Sequence, residues 1–157
     1  MSFFNRKANR LKHYDYSQNG CYYVTVCTNE KKFLLGRYNV GAIHESPLRM
    51  DETRFIILNQ RGKTAENIIK NLTNVYEEIS IDNYIVMPNH IHLLLTINNN
   101  QNLRAIRESP LQRSLLSKAI GYVKIWQRSF YDRIIRNQKE FKNTWQYIEY
   151  NALRDYN

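Results

Sequence analysis

The chain has 157 residues, 43% of them hydrophobic, which suits a single folded domain spanning 1–157 and excludes a disordered protein. Its 23 Lys and Arg outnumber its 14 Asp and Glu. The resulting net charge of +9 favours nucleic acid, an anionic membrane surface or an acidic protein as partner. Apolar runs stay far below the about 20 residues of a membrane span, and the N-terminus is basic and polar, so we expect a cytoplasmic protein.

Aromatic residues make up 13% of the chain, including 12 Tyr, and such rings stack on unpaired bases. This content favours nucleic acid among the three partners. The two cysteines, Cys21 and Cys27, are six positions apart in a strand-like segment, too far apart to be bridged by a disulfide. We therefore expect two free thiols.

Hydrophobic periodicity and turn signals predict eight elements along the chain. They are a strand at 21–28, a short strand at 32–35, a helix at 52–76, strands at 78–87 and 90–97, a helix at 111–126, a short strand at 130–136 and a helix from about 137 to 151. The strands at 78–87 and 90–97 flank Pro88-Asn89, which predicts a β-hairpin. This order predicts an α+β fold, a small antiparallel sheet with helices packed on it.

One eight-residue segment occurs twice. Positions 42–49 (AIHESPLR) return as 105–112 (AIRESPLQ), with six of the eight residues identical. Chance, a shared Ser-Pro start of a helix, and two translated copies of one repeated DNA element are the three explanations. We favour the third, and predict that both copies lie in surface loops or fraying helix ends, with low contact density and remote from His90, His92 and Tyr147.

His90 and His92 are separated by one residue in the strand predicted at 90–97. Alternate strand residues point to one face with Cα atoms about 6.6 Å apart, so the two imidazoles can converge on a divalent metal. The intervening Ile91 points to the other face. The same spacing is also compatible with two histidines that lie on a solvent-exposed strand face and bind no metal.

The last predicted helix places its aromatic residues on different sides. At about 100° per residue, Phe141, Trp145 and Ile148 form the core stripe. Tyr147 and Asn151 share one flank, whereas Tyr150 lies opposite the core and is predicted to face solvent. Helix geometry alone allows Tyr147 to be either a half-buried packing residue or a functional residue at the edge of the core.

Segments in the right order along nearly the whole chain resemble a known family. MPNHIHLL at 87–94 resembles the HUH motif, His-hydrophobic-His, of single-tyrosine DNA nucleases, and more closely that of the REP-associated tyrosine transposases. YDYSQNG at 14–20, WQRSFYD at 126–132 with IIR at 134–136, and YIEYN at 147–151 are similar to further segments of these transposases. The resemblance implies a ferredoxin-like antiparallel sheet with packed helices, the fold of HUH endonucleases.

The resemblance also implies an activity and a set of functional residues. The resemblance implies that the chain is a metal-dependent transposase that cleaves and rejoins single-stranded DNA, in hairpin or repetitive palindromic (REP) sequences. Tyr147 is then the nucleophile that forms a 5′-phosphotyrosine, and His90, His92 and Asn151 hold magnesium or manganese. The implied partner is single-stranded or hairpin DNA and not a membrane, bound by a monomer or a homodimer.

Basic residues are candidates for contacts to DNA phosphates. They are Arg6, Lys7, Arg10, Lys12, Arg113, Lys118, Arg133 and Arg136. The chain departs from the family where Arg133 replaces a usual His and Ala152 a usual Pro, and it stops at Asn157 where some relatives continue. We expect the replacement of His by Arg at position 133 to alter the DNA contacts near the site.

Two other functions fit the same residues. A nucleic-acid-binding module can keep the fold without catalysis, and would suit RNA as well as DNA. A housekeeping nuclease can trim hairpins without mobilising DNA. All three classes are open at the level of sequence.

Overall fold

The computed structural model describes residues 18–39, 56–98, 125–127 and 130–154. Within these ranges the chain forms six strands and two helices. They are β1 (Gly20–Cys27), β2 (Gly36–Tyr38), β3 (Ile56–Leu58), α1 (Gln60–Val75), β4 (Ile79–Val86), β5 (His90–Ile97), β6 (Tyr131–Ile135) and α2 (Gln138–Arg154). A short 3-10 turn at Asn29–Lys31 follows β1.

Four strands form one antiparallel sheet in the order β4-β5-β1-β6, and β2 and β3 pair separately. β1 and β5 lie in the interior of the larger sheet, where Thr25 pairs with His92 and Cys27 with His90. The antiparallel sheet with its packed helices confirms the predicted α+β fold. The strand that carries both histidines, β5, is one of the two interior strands of this sheet.

Strand alternation gives the four-stranded sheet two different faces. One face, which we call the core face, carries alternate residues of β1 from Tyr22 to Val26 and of β5 from Ile91 to Ile97. All of these are buried: Tyr22, Val24, Val26, Ile91, Leu93, Leu95 and Ile97. α1 packs against this face through Ala65 and Ile69, which are fully buried. Removing these side chains from water provides most of the stabilisation of the fold.

The opposite face, which we call the site face, carries the alternate residues of the same strands. They are Cys21, Tyr23, Thr25 and Cys27 of β1, His90, His92, Leu94 and Thr96 of β5, and Tyr131, Arg133 and Ile135 of β6. α2 covers part of this face, where Ile148 packs with Leu94 and Ile135 in a smaller apolar cluster. On the site face, polar and aromatic side chains therefore surround this apolar cluster, which we call the smaller core.

The helix predicted at 52–76 begins later than expected. Ile56–Leu58 is strand β3, paired with β2, and Asn59 caps α1 by accepting a hydrogen bond of 3.1 Å from the backbone N–H of Gly62. A short apolar run fits either a helix or a strand, and the pairing with β2 decides for a strand. The buried side of α1 follows the predicted stripe.

The short strand predicted at 32–35 is wrong, and β2 begins only at Gly36. The backbone N–H of Leu35 donates to Pro88 O, and Leu35 O accepts from the N–H of Asn59. The polar groups of Leu35 are therefore satisfied by two loops, and no neighbouring strand is needed to pair with it.

The core stripe predicted for the last helix is wrong at one position. Ile148 is buried, whereas Trp145 is 37% exposed. Trp145 O accepts a hydrogen bond of 3.3 Å from the side chain of Asn83, at the bulge of the edge strand β4, so this turn of α2 lies over the border of the sheet. Tyr150 is 44% exposed, as predicted.

Other predictions concern residues that the structure does not describe. The repeated segments 42–49 and 105–112 lie there, as does the predicted helix at 111–126 except for its last two residues. Of these two, Trp126 forms an isolated bridge with Thr28. Both cysteines are free. In the part of the chain that is described, no helix is long and apolar enough to cross a bilayer.

Candidate active site

The Pro88-Asn89 turn determines where β5 begins. The backbone N–H of Met87 donates to His90 O at 2.8 Å and closes the turn. Thr28, directly after β1, donates its backbone N–H to Asn89 O at 2.9 Å, and its hydroxyl lies 2.9 Å from the same oxygen. These bonds hold the start of β5 against the end of β1, so His90 projects from a rigid position.

The imidazoles of His90 and His92 meet on the site face. Their Nε2 atoms are 3.0 Å apart and their ring centroids 4.5 Å apart. Nδ1 of His90 donates to Oδ1 of Asn89 at 2.6 Å, which leaves the lone pair on Nε2. Two nitrogen ligands about 2.1 Å from one ion and at a right angle are themselves about 3.0 Å apart, so the pair fits a shared divalent cation.

His92 is the more buried of the two, with 5% of its surface exposed. Burial, followed by the repulsion of a charge on His90, lowers the pKa of His92 to about 3. The imidazole is therefore neutral at physiological pH, which is the form that binds a metal ion.

Two hydroxyls of β1 hold the other side of the His92 ring. Tyr23 OH lies 2.6 Å and Thr25 Oγ1 2.9 Å from Nδ1 of His92. Tyr23 also stacks on the imidazole, with ring centroids 5.4 Å apart. When Nδ1 donates to either oxygen, Nε2 of His92 is unprotonated and faces His90. Both residues were missed at the level of sequence, because their contact depends on the register that sets Thr25 opposite His92.

Tyr147 of α2 reaches the same cluster. Its ring meets the rings of His92 and Tyr23 edge-on, with centroids 5.4 and 6.2 Å away. Its side chain is 37% exposed, at the edge of the smaller core. Of the two described tyrosines of α2, the fold thus brings Tyr147 to His92 and leaves Tyr150 facing solvent.

Asn151 lies one helical turn beyond Tyr147 and is fully buried. Its amide oxygen and nitrogen have no hydrogen-bond partner among the residues that the structure describes. A buried amide in this state costs free energy that a cation or an ordered water at its oxygen would remove. Amide oxygens and imidazole nitrogens are both ligand types that magnesium or manganese accepts, so the donors present are chemically compatible with such an ion.

Cys27 is the direct neighbour of His90 across β1 and β5. Burial raises the pKa of its thiol, and the nearby Lys31 opposes this only in part. Because metals bind the thiolate, a protonated Cys27 is a poor ligand, and the two imidazoles are the better donors.

A pocket of about 470 Å³ opens beside this cluster. Tyr23, His92 and Tyr147 line one side, and Arg133 of β6 and Glu140 of α2 line another. Of the eight predicted DNA contacts, Arg133 therefore lies at the candidate site, and Arg136 lies just beyond β6 with its side chain exposed. The remaining six fall outside the described residues: Arg6, Lys7, Arg10, Lys12, Arg113 and Lys118.

Known proteins resemble the chain in sequence. An uncharacterised protein of Haemophilus influenzae is 27% identical over 173 aligned positions, which cover 95% of this chain and 89% of that protein. A second protein of the same organism, named as a candidate REP-associated tyrosine transposase, is 33% identical over 82 positions, which cover 44% of this chain and 47% of that protein. No protein-family model matches the chain.

A solved structure shares the fold. It is a REP-associated tyrosine transposase bound to a REP hairpin, and it matches with a TM-score of 0.54 over 93% of this chain and 74% of that one, at 18% identity. The chain therefore resembles the REP-associated tyrosine transposases in sequence and in fold, as its motifs indicate.

Proposed function

We propose that this chain, which shares its fold with a REP-associated tyrosine transposase, is a metal-dependent endonuclease and strand transferase of the transposase type, acting on single-stranded or hairpin DNA. The observation that carries the proposal is the edge-on contact of Tyr147 with His92, whose Nε2 atom faces that of His90. A phenol beside a pair of imidazoles that can bind a metal ion suits phosphoryl transfer to tyrosine. The net charge of +9 suits a polyanionic substrate.

Tyr147 is the nucleophile in this mechanism. Its phenolic oxygen attacks the scissile phosphorus in line, so the O–P bond forms while the bond from phosphorus to the 3′ oxygen breaks. The phenolic proton passes to solvent and the leaving 3′ oxygen takes up a proton, which gives a 5′-phosphotyrosine and a free 3′-OH. His90, His92 and Asn151 would hold a divalent cation, which would supply Lewis-acid polarisation of the phosphate.

The reverse step rejoins the strands. A DNA 3′-OH attacks the phosphotyrosine and releases Tyr147 without ATP. A phenol has a pKa of about 10, well below that of an alkyl alcohol, so tyrosine is a ready leaving group. Tyr23 and Thr25 hold the ring of His92, and Asn89 holds that of His90, so the chain keeps both imidazoles oriented throughout.

The covalent protein–DNA adduct is the direct test. The protein is incubated with hairpin oligonucleotides that carry single-stranded flanks of random sequence, with manganese or with EDTA, and is then separated on a denaturing gel. The wild-type chain should form the adduct with manganese only. Tyr147→Phe should form none, whereas Tyr150→Phe, the matched control on the same helix, should form the wild-type amount.

Each other outcome selects another function. An adduct retained in Tyr147→Phe would reject Tyr147 as the nucleophile and point to Tyr150. DNA binding without any adduct in the wild-type chain would favour a non-catalytic nucleic-acid-binding protein. Cleavage without strand joining would favour a housekeeping nuclease.

A further inference from the structure

The pocket beside Tyr147 extends from His92 towards β6 and the first turns of α2. We propose that it holds one unpaired base of the DNA strand, which Arg133 and Glu140 read along its edge. This inference rests on the proposed function for its substrate and adds a recognition site beside the catalytic residues.

The pocket presents a donor and an acceptor side by side. Nη2 of Arg133 lies 3.7 Å from Oε1 of Glu140, and the two side chains are 55% and 27% exposed. A site that only bound phosphate would be weakened by a carboxylate at this distance, because like charges repel. Every base, in contrast, carries a donor and an acceptor next to each other on one edge, which an Arg–Glu pair matches.

Glu140 is held in place by the backbone at the start of α2. Its Oε2 accepts from the N–H of Arg136 at 3.1 Å, and its own N–H donates to Oδ1 of Asn137 at 2.9 Å. These bonds cap the helix and leave Oε1 of the carboxylate to Arg133. The acceptor is therefore oriented before any ligand arrives.

Aromatic rings provide the stacking surface that a base needs. Tyr131 of β6 is 55% exposed and Tyr147 of α2 is 37% exposed, and both line the pocket. Bases stack on such rings without strong sequence preference. In a duplex the base edges are occupied by pairing and the faces by stacking, so the pocket accepts only a base that is unpaired. A volume of about 470 Å³ lies in the range of small-ligand sites.

Binding to short single-stranded oligonucleotides of random sequence, followed by fluorescence anisotropy in EDTA, tests the pocket without any cleavage. Arg133→Gln should weaken binding about fivefold or more. Arg37→Gln removes the same charge from an exposed position on β2 and should change binding less than about twofold. Tyr131→Ala should also weaken binding about fivefold or more. Phe33→Ala, at 56% exposure, is its control and should have no effect.

A strand of abasic sugar-phosphate of the same length separates a base pocket from a phosphate clamp. The loss caused by Arg133→Gln should disappear on the abasic strand. Glu140→Gln, which can keep the capping bonds, should weaken binding to the strand that carries bases. An equal Arg133→Gln loss on both strands, or tighter binding by Glu140→Gln, would overturn the proposal.

The outcome is independent of the proposed catalysis. If the chain passes these binding tests but forms no covalent adduct, the proposed base pocket stands and the proposed transferase function is rejected. If the chain forms the adduct but Arg133→Gln has no base-dependent effect, the proposed function stands and the proposed base pocket is rejected.

Discussion

The core face and the site face of the four-stranded sheet are built from the same strands and have different compositions. Every second residue of β1 and β5 on the core face is apolar and buried, from Tyr22 to Val26 and from Ile91 to Ile97. The residues between them, on the site face, include Tyr23, Thr25 and both histidines. Adjacent residues of one strand therefore point to opposite faces, one into the stabilising core and the next towards the candidate active site.

The two helices differ in the same way. α1 lies on the core face and buries its apolar stripe against the sheet. α2 covers only part of the site face and leaves Tyr147 partly exposed beside an open pocket. The site thus has rigid strands beneath it and solvent on one side, an arrangement that the proposed DNA substrate would need in order to enter and leave.

The largest effect is expected from His92→Ala on the site face. Loss of a residue that merely orients a ligand costs about 10- to 100-fold in metal affinity or activity, so loss of the ligand itself should lower manganese-dependent cleavage by more than about 100-fold. Single-turnover cleavage of a labelled hairpin measures this. Cleavage at the wild-type rate would remove His92 from the metal site.

The neighbouring residue on the core face should behave in the opposite way. Leu93 is 1% exposed, and Leu93→Ala should lower the free energy of unfolding by about 2–5 kcal/mol. Urea denaturation measures the loss. Val75→Ala, at a position 66% exposed, is the control and should change stability by less than about 0.5 kcal/mol. Similar values for the two variants would contradict the division between the faces.

Adjacent tyrosines of β1 allow a matched comparison of the faces. Tyr22 OH donates to Gln18 O at 2.8 Å, and Tyr23 OH lies 2.6 Å from Nδ1 of His92. Tyr22→Phe and Tyr23→Phe should each lower the free energy of unfolding by about 0.5–1.5 kcal/mol.

Only one of these variants should change metal binding. Calorimetry should find manganese affinity lowered about tenfold in Tyr23→Phe and unchanged in Tyr22→Phe. Unchanged affinity in both would assign the orientation of His92 to Thr25 alone, and Thr25→Val would then show the loss.

The smallest effects are expected at the two helix caps. Asn59 accepts from Gly62 N at the start of α1, and Asn137 accepts from Glu140 N at the start of α2. Replacing either by Ala should lower the free energy of unfolding by about 1 kcal/mol, measured in urea. Asn137→Ala alone should also weaken single-strand binding, because it frees the turn that carries Glu140. Equal DNA binding by both variants would argue against a role for that turn.

Local patterns predicted much of the fold and part of the site. The alternation of β5 placed both histidines on one face, and helix angles placed Tyr147 on the flank of the last helix and Tyr150 in solvent. The same rules failed where two local patterns were compatible with the residues. The run at 56–58 fits a helix or a strand, and only pairing with β2 makes it β3.

Trp145 was misplaced for a related reason. Its angle on the helix suits the core stripe, but the sheet ends beneath it, so the side chain is partly exposed. The hydrophobic periodicity of a helix does not show how far the sheet beneath that helix extends.

The sequence by itself determined the four strands of the larger sheet, their two faces and the flank on which Tyr147 lies, because periodicity is a property of a single segment. The tertiary structure alone decided that Tyr23 and Thr25 hold His92, that Tyr147 meets His92 edge-on, and that Arg133 and Glu140 share a pocket. The contacts with His92 join residues far apart in the chain. They depend on strand register and on how a helix crosses a sheet, which only the packing of the whole domain determines.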